Sequence, residues 1–195
     1  MKIALVLLGI LLVCGTFRSS NRPNLPPGTL AADEPSQSIT PGRSWEHAGH
    51  QITALARFRV RALVLSTERY WTDPASSLSP VDLVLGWGPM SDPATVRQFR
   101  FSQGARWFHM RPIDRLQLPI AYLQNHCSNM HMIPADGRIS SQLKSISSWD
   151  VVDISGYLVE ASRERFRIRS SLSRTDTGGG ACEVVWVEEV STRGQ

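Results

Sequence analysis

Several kinds of residue are scarce in this 195-residue sequence. Charged residues make up 19% and aromatic residues 8%, and no internal repeat is evident. The modest charge excludes a chain that is disordered throughout, and the lack of a repeat excludes a collagen-like protein. The hydrophobic content of 42% is instead typical of a globular protein.

Lysine is especially rare, with two residues beside 19 arginines. Arginine suits planar, bidentate contacts with carboxylate or phosphate groups, so this imbalance is consistent with a binding role. A GC-rich coding bias explains it equally well. The net charge of +4 is too small to indicate a class of partner.

Long hydrophobic runs are absent except at the N-terminus. Residues 3–14 form an unbroken apolar run directly after Lys2, which is typical of a signal sequence. Extended through residue 17, this run would reach about 22 Å as a helix, which is shorter than a hydrocarbon core of about 30 Å. We predict that residues 1–17 are a signal sequence, or a membrane anchor if they are not cleaved. The rest of the chain would then lie in the periplasm, free or anchored to the inner membrane.

The next segment, residues 18–43, is polar and contains five prolines. It has too little apolar surface to offset the entropy lost on ordering, so we predict a disordered, proline-rich linker. Residues 44–195 are enough for a single domain but not for two.

Alternation of apolar and polar residues is the main structural signal in that domain. Residues 57–64 and 163–172 each place apolar side chains on one face of a strand and arginines on the other. Residues 150–161 and 182–190 are rich in β-branched side chains and also predict strands. The arginines predicted to point outward are Arg57, Arg59, Arg61, Arg165, Arg167 and Arg169.

Helical signals are sparse. Residues 92–101 begin with an Asp-Pro start signal, and residues 136–146 carry one apolar stripe. A strand near residues 129–133, then a helix and two closing strands, resembles the second half of an OB-type five-stranded barrel. We therefore predict a mainly β fold with one or two short helices, built as a β-barrel of OB-like type. A small α+β antiparallel sheet is the alternative.

Three segments have unusually particular sequences: SPVDLVLGWGPMSDP at residues 79–93, NHCSNMHMIPAD at 125–136 and RTDTGGGACE at 174–183. Together they resemble an uncharacterised family of bacterial exported proteins, over most of the chain after Tyr70. The resemblance implies a place in the bacterial envelope. It implies no chemistry, because no activity is established for that family.

Histidine pairs near an acid commonly bind transition metals, and His126 with His131 is a candidate pair. Asp176 or Glu183 would supply the acid in a metal-dependent hydrolase. Five residues is an odd separation, so a regular strand sends the two rings to opposite faces, and only a loop or bulge brings them together. The competing interpretation is that His131 points outward and His126 binds a loop carbonyl.

Two cysteines, Cys127 and Cys182, lie outside the N-terminal segment. In an oxidising compartment they could form a disulfide that closes a loop of about 55 residues and contributes about 4 kcal/mol. Either thiol beside a histidine could act as a nucleophile, although no recognised motif surrounds them. The apolar strand that follows Cys182 favours an inert buried thiol.

These observations predict an exported, envelope-associated binding or assembly module rather than an enzyme. Its surface would be the six outward arginines, and its partner an anionic polymer or another envelope protein. Nucleic acid is less expected outside the cytoplasm. No cofactor is predicted for such a module, and a transition metal belongs only to the hydrolase alternative. A solvated strand face with paired charges explains the same arginine pattern.

Overall fold

The computed structural model describes residues 25–40, 42–173 and 182–193. The fold is mainly β, as the sequence predicted. The strands are β1 (Ser36–Ile39), β2 (Ser44–His47), β3 (His50–Arg69), β4 (Val81–Gly86), β5 (Phe99–Gly104), β6 (Trp107–Pro112), β7 (Cys127–Pro134), β8 (Val151–Arg163), β9 (Phe166–Arg169) and β10 (Glu183–Arg193). The α-helices are α1 (Pro93–Val96), α2 (Ile120–Gln124) and α3 (Gly137–Ser145), with a 3₁₀ turn at Gly88–Ser91.

Five of these strands close into a ring. The 20-residue β3 pairs antiparallel with β4 at its C-terminal end and with β8 along most of its length. The ring continues from β4 to β7, from β7 to β10 in parallel, and from β10 back to β8. Helix α3 lies between the third and fourth strands of the ring, β7 and β8. This order is that of an OB-type barrel, so the predicted OB-like arrangement is confirmed at the level of topology.

The barrel interior is apolar because alternate residues of each strand point inward. On β3 these are Phe58, Val60 and Ala62, as the alternation predicted. Helix α3 covers the interior with Ile139 and Leu143, both fully buried. The carboxylate of Asp136 caps this helix by accepting a hydrogen bond from the Ile139 amide at 2.8 Å.

The barrel wall is not uniform, because the strand register shifts at three places. Two shifts lie on β3, between Ala54 and Ala56 and between Val64 and Ser66, and the third lies on β10 between Val187 and Glu189. At the shift on β10 the strands approach closely at Gly156, where an added Cβ would lie 1.9 Å from the Trp186 carbonyl oxygen. Only glycine fits there.

Some elements differ from their predictions in extent. The predicted strand 163–172 contains only β9, because Glu164 adopts a positive φ of 50° in the turn that joins β8 to β9. The predicted helix 92–101 contains only the four-residue α1, because Phe99 already begins β5. Strand β1 lies within the range predicted as a linker and pairs with β3.

Among the described residues the longest helix has nine residues, so none could cross a bilayer. The predicted signal segment 1–17 and the glycine-rich residues 175–181 lie outside these residues.

Candidate functional site

The first group of predicted binding residues lies on the outer face of β3. Arg57 and Arg59 are exposed, and neither forms an ion pair within the described part of the chain. The guanidinium of Arg57 lies 5.0 Å from the ring centroid of Tyr157 on the neighbouring strand. Arg61 is partly screened, since its Nη1 lies 3.6 Å from a carboxylate oxygen of Asp153.

The second group of predicted arginines lies on the opposite face of the sheet. Arg57 pairs in register with Tyr157, and Arg169 pairs with Glu160. These two β8 residues are three apart, and neighbouring strand residues alternate between faces, so Arg57 and Arg169 point to opposite sides. Arg165 lies in the turn before β9. The structure therefore does not bring the six arginines together on one surface.

The β9 arginines are also neutralised locally. Arg167 and Arg169 contact the same carboxylate oxygen of Glu160 at 2.9 and 2.7 Å. Hydrogen bonds from these arginines lower the pKa of Glu160. Both guanidiniums are more than half exposed, so the pairs belong to a solvated strand face.

Beside Arg57 and Arg59 there is a shallow surface cavity of about 450 Å³. One wall is the edge strand β1, which contributes two serines and a glutamine residue, and the other wall is β10 with two glutamates. Its polar lining residues are Ser36, Gln37, Ser38, Arg57, Arg59, Ser155, Glu188 and Glu189. We call this cavity the β1–β3 groove.

A different polar region, which the sequence did not predict, lies on the outer face of β4 and β7. Asp82 and His131 are register partners on these strands. Asp82 is fully buried, and its Oδ2 lies 2.9 Å from Nδ1 of His131. By hydrogen-bond geometry neither atom has a partner among the described residues, so this is an ion-pair contact rather than an aligned hydrogen bond. A buried carboxylate requires a compensating positive charge. Besides His131, a second basic side chain contacts Asp82.

The second basic side chain belongs to Arg106. This residue lies in the turn between β5 and β6 and has a positive φ of 69°. Its Nη1 donates to Oδ1 of Asp82 at 2.8 Å, and its Nη2 binds both carboxylate oxygens of Asp73 at 2.9 Å. The guanidinium lies 3.7 Å from the ring centroid of Tyr70, whose hydroxyl accepts the Arg106 amide at 3.2 Å. Burial and the charge of Asp82 raise the pKa of Tyr70 to about 12, so its hydroxyl stays protonated.

Cys182 lies directly before β10, and Nδ2 of Asn129 on β7 lies 4.0 Å from its Sγ. Burial by itself lowers the pKa of His131, but the neighbouring side chains of Asp82 and Cys182 outweigh it and raise that pKa to about 9. His131 is therefore positively charged at neutral pH.

Among the described residues, the predicted metal ligands do not form a metal-binding group. His126 makes other contacts, since its Nδ1 lies 2.7 Å from the Tyr122 carbonyl oxygen and its ring covers Gly88. Glu183 is buried and accepts a hydrogen bond from Ser128. Asp176 lies outside the described residues. Within those residues, no group of three or more His, Cys, Asp or Glu side chains is arranged to hold a metal ion.

The predicted Cys127–Cys182 disulfide is not formed in the structure, where both cysteines are free thiols. Cys127 packs in an apolar cluster with Met90 and Leu123. Burial and the nearby charge of Glu183 raise the pKa of Cys127 to about 12, which makes it an inert thiol. Cys182 is half-buried and contacts polar side chains instead.

Sequence reasoning missed Asp82, Arg106 and Asp73. One signal for Asp82 was available, since it is the one charged residue in an otherwise apolar strand, VDLVLG. A lone acid inside a buried strand requires a partner. No comparable signal marks Arg106, because its turn is joined to Asp82 only by the tertiary fold.

Comparisons with known proteins supply no family for the chain. No family model matches it, and neither the curated proteins nor the solved structures gave a match.

Proposed function

We propose that this protein is an exported binding module of the bacterial envelope that holds an acidic polysaccharide in the β1–β3 groove. The observation that carries this proposal is the exposed Arg57–Arg59 pair, which faces a cavity and has no carboxylate contact within the described chain. The apolar run at residues 3–14 supports export.

The spacing of the arginines favours an extended ligand. Residues two apart on a strand are separated by about 6.6 Å and point the same way. Arg57 and Arg59 therefore present two positive charges in a row, which suits successive carboxylate or sulfate groups on a chain.

The walls of the groove favour a ligand that also carries hydroxyl groups. Ser36 and Ser38 on the β1 side offer uncharged donors and acceptors. Glu188 and Glu189 on the opposite side repel a ligand with uniformly dense negative charge. A sugar polymer with spaced acidic groups has hydroxyl groups for the β1 side and a charge density low enough to lie beside the two glutamates.

The test is retention of the full chain on immobilised polygalacturonate as salt increases. We expect Arg57→Glu with Arg59→Glu to elute at clearly lower salt than the unaltered protein, because both charges of the groove are reversed. The matched control is Arg167→Glu with Arg169→Glu, which makes the same charge change on the opposite face and should leave retention by the groove unchanged. Equal losses in both variants, or no retention of the unaltered protein, would refute the proposal.

A further inference from the structure

The hairpin of β5 and β6 has one packed face and one open face. Its two strands form a separate sheet outside the barrel. On the packed face, Phe101 and Met110 are half-buried against the apolar cluster that contains Met90 and Leu123. The residues between them alternate to the other side and are exposed. This open face consists of Arg100, Ser102 and Gly104 on β5 and Trp107, His109 and Arg111 on β6.

Polar contacts hold the hairpin against the barrel. Nε2 of Gln103 donates to Oδ1 of Asn129 on β7 at 2.9 Å. In the turn, Arg106 donates to Asp82 on β4 at 2.8 Å and to Asp73 at 2.9 Å. Both the packed face and the turn are therefore fastened to the barrel, and the open face is presented to solvent in one orientation.

Exposed apolar side chains are concentrated in and after this hairpin. Among the described residues, five of the seven exposed large apolar side chains lie between residues 107 and 122. The connection from β6 to β7 adjoins the hairpin, since Leu116 and Leu123 pack in the same apolar cluster as Phe101. A concentration of this kind marks an interaction surface. The five side chains, which are 40–50% exposed, are Trp107, Ile113, Leu118, Ile120 and Tyr122.

The same region is strongly basic. Asp114 is the only acid between residues 93 and 135, which contain five arginines. Arg100 and Arg111 are register partners, so they lie side by side on the open face. Neither of them, nor Arg115, forms an ion pair within the described part of the chain. Their charges are therefore available to an anionic partner.

The first residue that the structure describes, Leu25, lies beside the hairpin. Nη2 of Arg97 donates to the Leu25 carbonyl at 2.9 Å, and the next residue, Gln98, accepts the Ile113 amide at 2.8 Å. Ten residues separate Leu25 from the apolar run at residues 3–14. A chain of that length spans at most about 40 Å. A bilayer that accepts the apolar run would therefore lie within reach of the hairpin.

We propose that the open face of the β5–β6 hairpin, with the exposed apolar side chains of the connection to β7, docks on the surface of an anionic phospholipid bilayer. Tryptophan and tyrosine favour the boundary between headgroups and acyl chains, and aliphatic side chains beside them enter its apolar margin. The arginines attract anionic headgroups. An acidic polysaccharide offers no apolar layer for these side chains, so this contact is separate from binding in the β1–β3 groove.

The first test mixes the full, unaltered chain with vesicles of phosphatidylglycerol and phosphatidylcholine. The vesicles contain a phospholipid with a photoreactive acyl chain, and mass spectrometry locates the cross-links. We expect cross-links within residues 107–122, and at least about tenfold fewer there on vesicles of phosphatidylcholine alone. The location separates docking of the hairpin from insertion of residues 3–14. Cross-links confined to residues 3–14, or as frequent on β9 as on the hairpin, would overturn the proposal.

The second test reverses the charges of the open face. Arg100→Glu with Arg111→Glu should lower cross-linking of residues 107–122 at least about tenfold, because both arginines face the headgroups. The matched control is Arg167→Glu with Arg169→Glu, which makes the same charge change on exposed residues of β9 and should leave cross-linking unchanged. Equal effects in the two variants would refute docking by the hairpin. The hairpin variant should keep its retention on polygalacturonate, so failure of this proposal is distinguishable from failure of the proposed function.

The third test changes apolar surface without changing charge. Ile113→Ser should lower cross-linking of residues 107–122 about threefold or more, because it removes an aliphatic group from the apolar margin. The matched control is Ile39→Ser on β1, which changes a more exposed isoleucine, at 74% against 44%, and should have no effect. If the arginines matter and Ile113 does not, the hairpin binds headgroups alone, and the proposed insertion of apolar side chains is wrong.

Discussion

Arginine has two different roles in this barrel, one on the exposed face of β9 and one in the buried wall beside β4. Arg169 binds Glu160 at 2.7 Å with its side chain 52% exposed, whereas Arg106 binds Asp82 at 2.8 Å with its side chain 19% exposed. The distances are almost equal, but the surroundings differ. Water screens the first pair and is largely excluded from the second, so only the second pair determines whether the fold tolerates its own buried charge.

The largest expected effect is the loss of the buried guanidinium. Arg106→Ala leaves Oδ1 of Asp82 without a donor and removes both contacts with Asp73. Breaking a buried pair from one side costs on the order of 3 kcal/mol in the free energy of unfolding. Urea denaturation at neutral pH measures this loss. A loss as small as that of an exposed arginine would show that water reaches Asp82 freely.

The second effect is a fall in stability with rising pH. The folded state raises the pKa of His131 from 6.5 to about 9, so the folded state binds a proton more tightly than the unfolded chain. The contribution is complete below about pH 6.5 and is lost as pH rises through about 9. The groups that face His131 are Asp82 on β4 and Cys182 beside β10, with Arg106 beyond Asp82.

We expect stability to fall by on the order of 2–3 kcal/mol between pH 6 and pH 10 because of this one group. Chemical denaturation across that pH range measures the slope. The control is His131→Gln, in which the slope should be shallower. The same slope in both proteins would assign the pH dependence to another group. The buried Asp82–His131 pair would then contribute as little to stability as the exposed pairs on β9.

The contrast between the two regions also explains which parts of the fold the sequence predicts. The alternation at residues 57–62 predicts β3 because one face of the strand is buried and the other is exposed to solvent. The polarity of each side chain therefore indicates which face it lies on. Helix α3 is predicted for the same local reason, by its single apolar stripe. Strand β1 carries no such pattern because all four of its side chains are exposed. Backbone pairing with β3 holds it, together with a hydrogen bond from the Gln37 side chain to the Leu172 carbonyl.

The candidate sites follow the same rule. The prediction that Arg57 and Arg59 point outward is confirmed, because alternation within one strand decides it. Whether Arg167 joins them depends on how β8 and β9 pair, which no local pattern encodes. Cys182 was predicted to be inert from the apolar residues after it in sequence. The polar side chain beside it is Asn129 on β7, 53 positions away in the chain.

A smaller effect tests how tightly the turn at Arg106 is held. Tyr70→Phe keeps the ring under the guanidinium but removes the hydroxyl that accepts the Arg106 amide. The loss of one neutral hydrogen bond should cost about 1 kcal/mol in the free energy of unfolding. The matched control is Tyr122→Phe, which removes the hydroxyl of an exposed tyrosine and should be silent. Equal effects in the two variants would argue that the ring contact alone positions Arg106.

The smallest expected effect completes the comparison. Arg169→Ala removes an ion pair as short as the buried one, but Glu160 keeps its contact with Arg167 and remains open to water. The folding transition measured in urea should not move beyond its experimental error, and added salt should not change that result. A clear loss of stability would mean that β9 depends on this charge pair for its attachment to β8. The distinction between the two arginine environments would then rest on the identity of the acid rather than on burial.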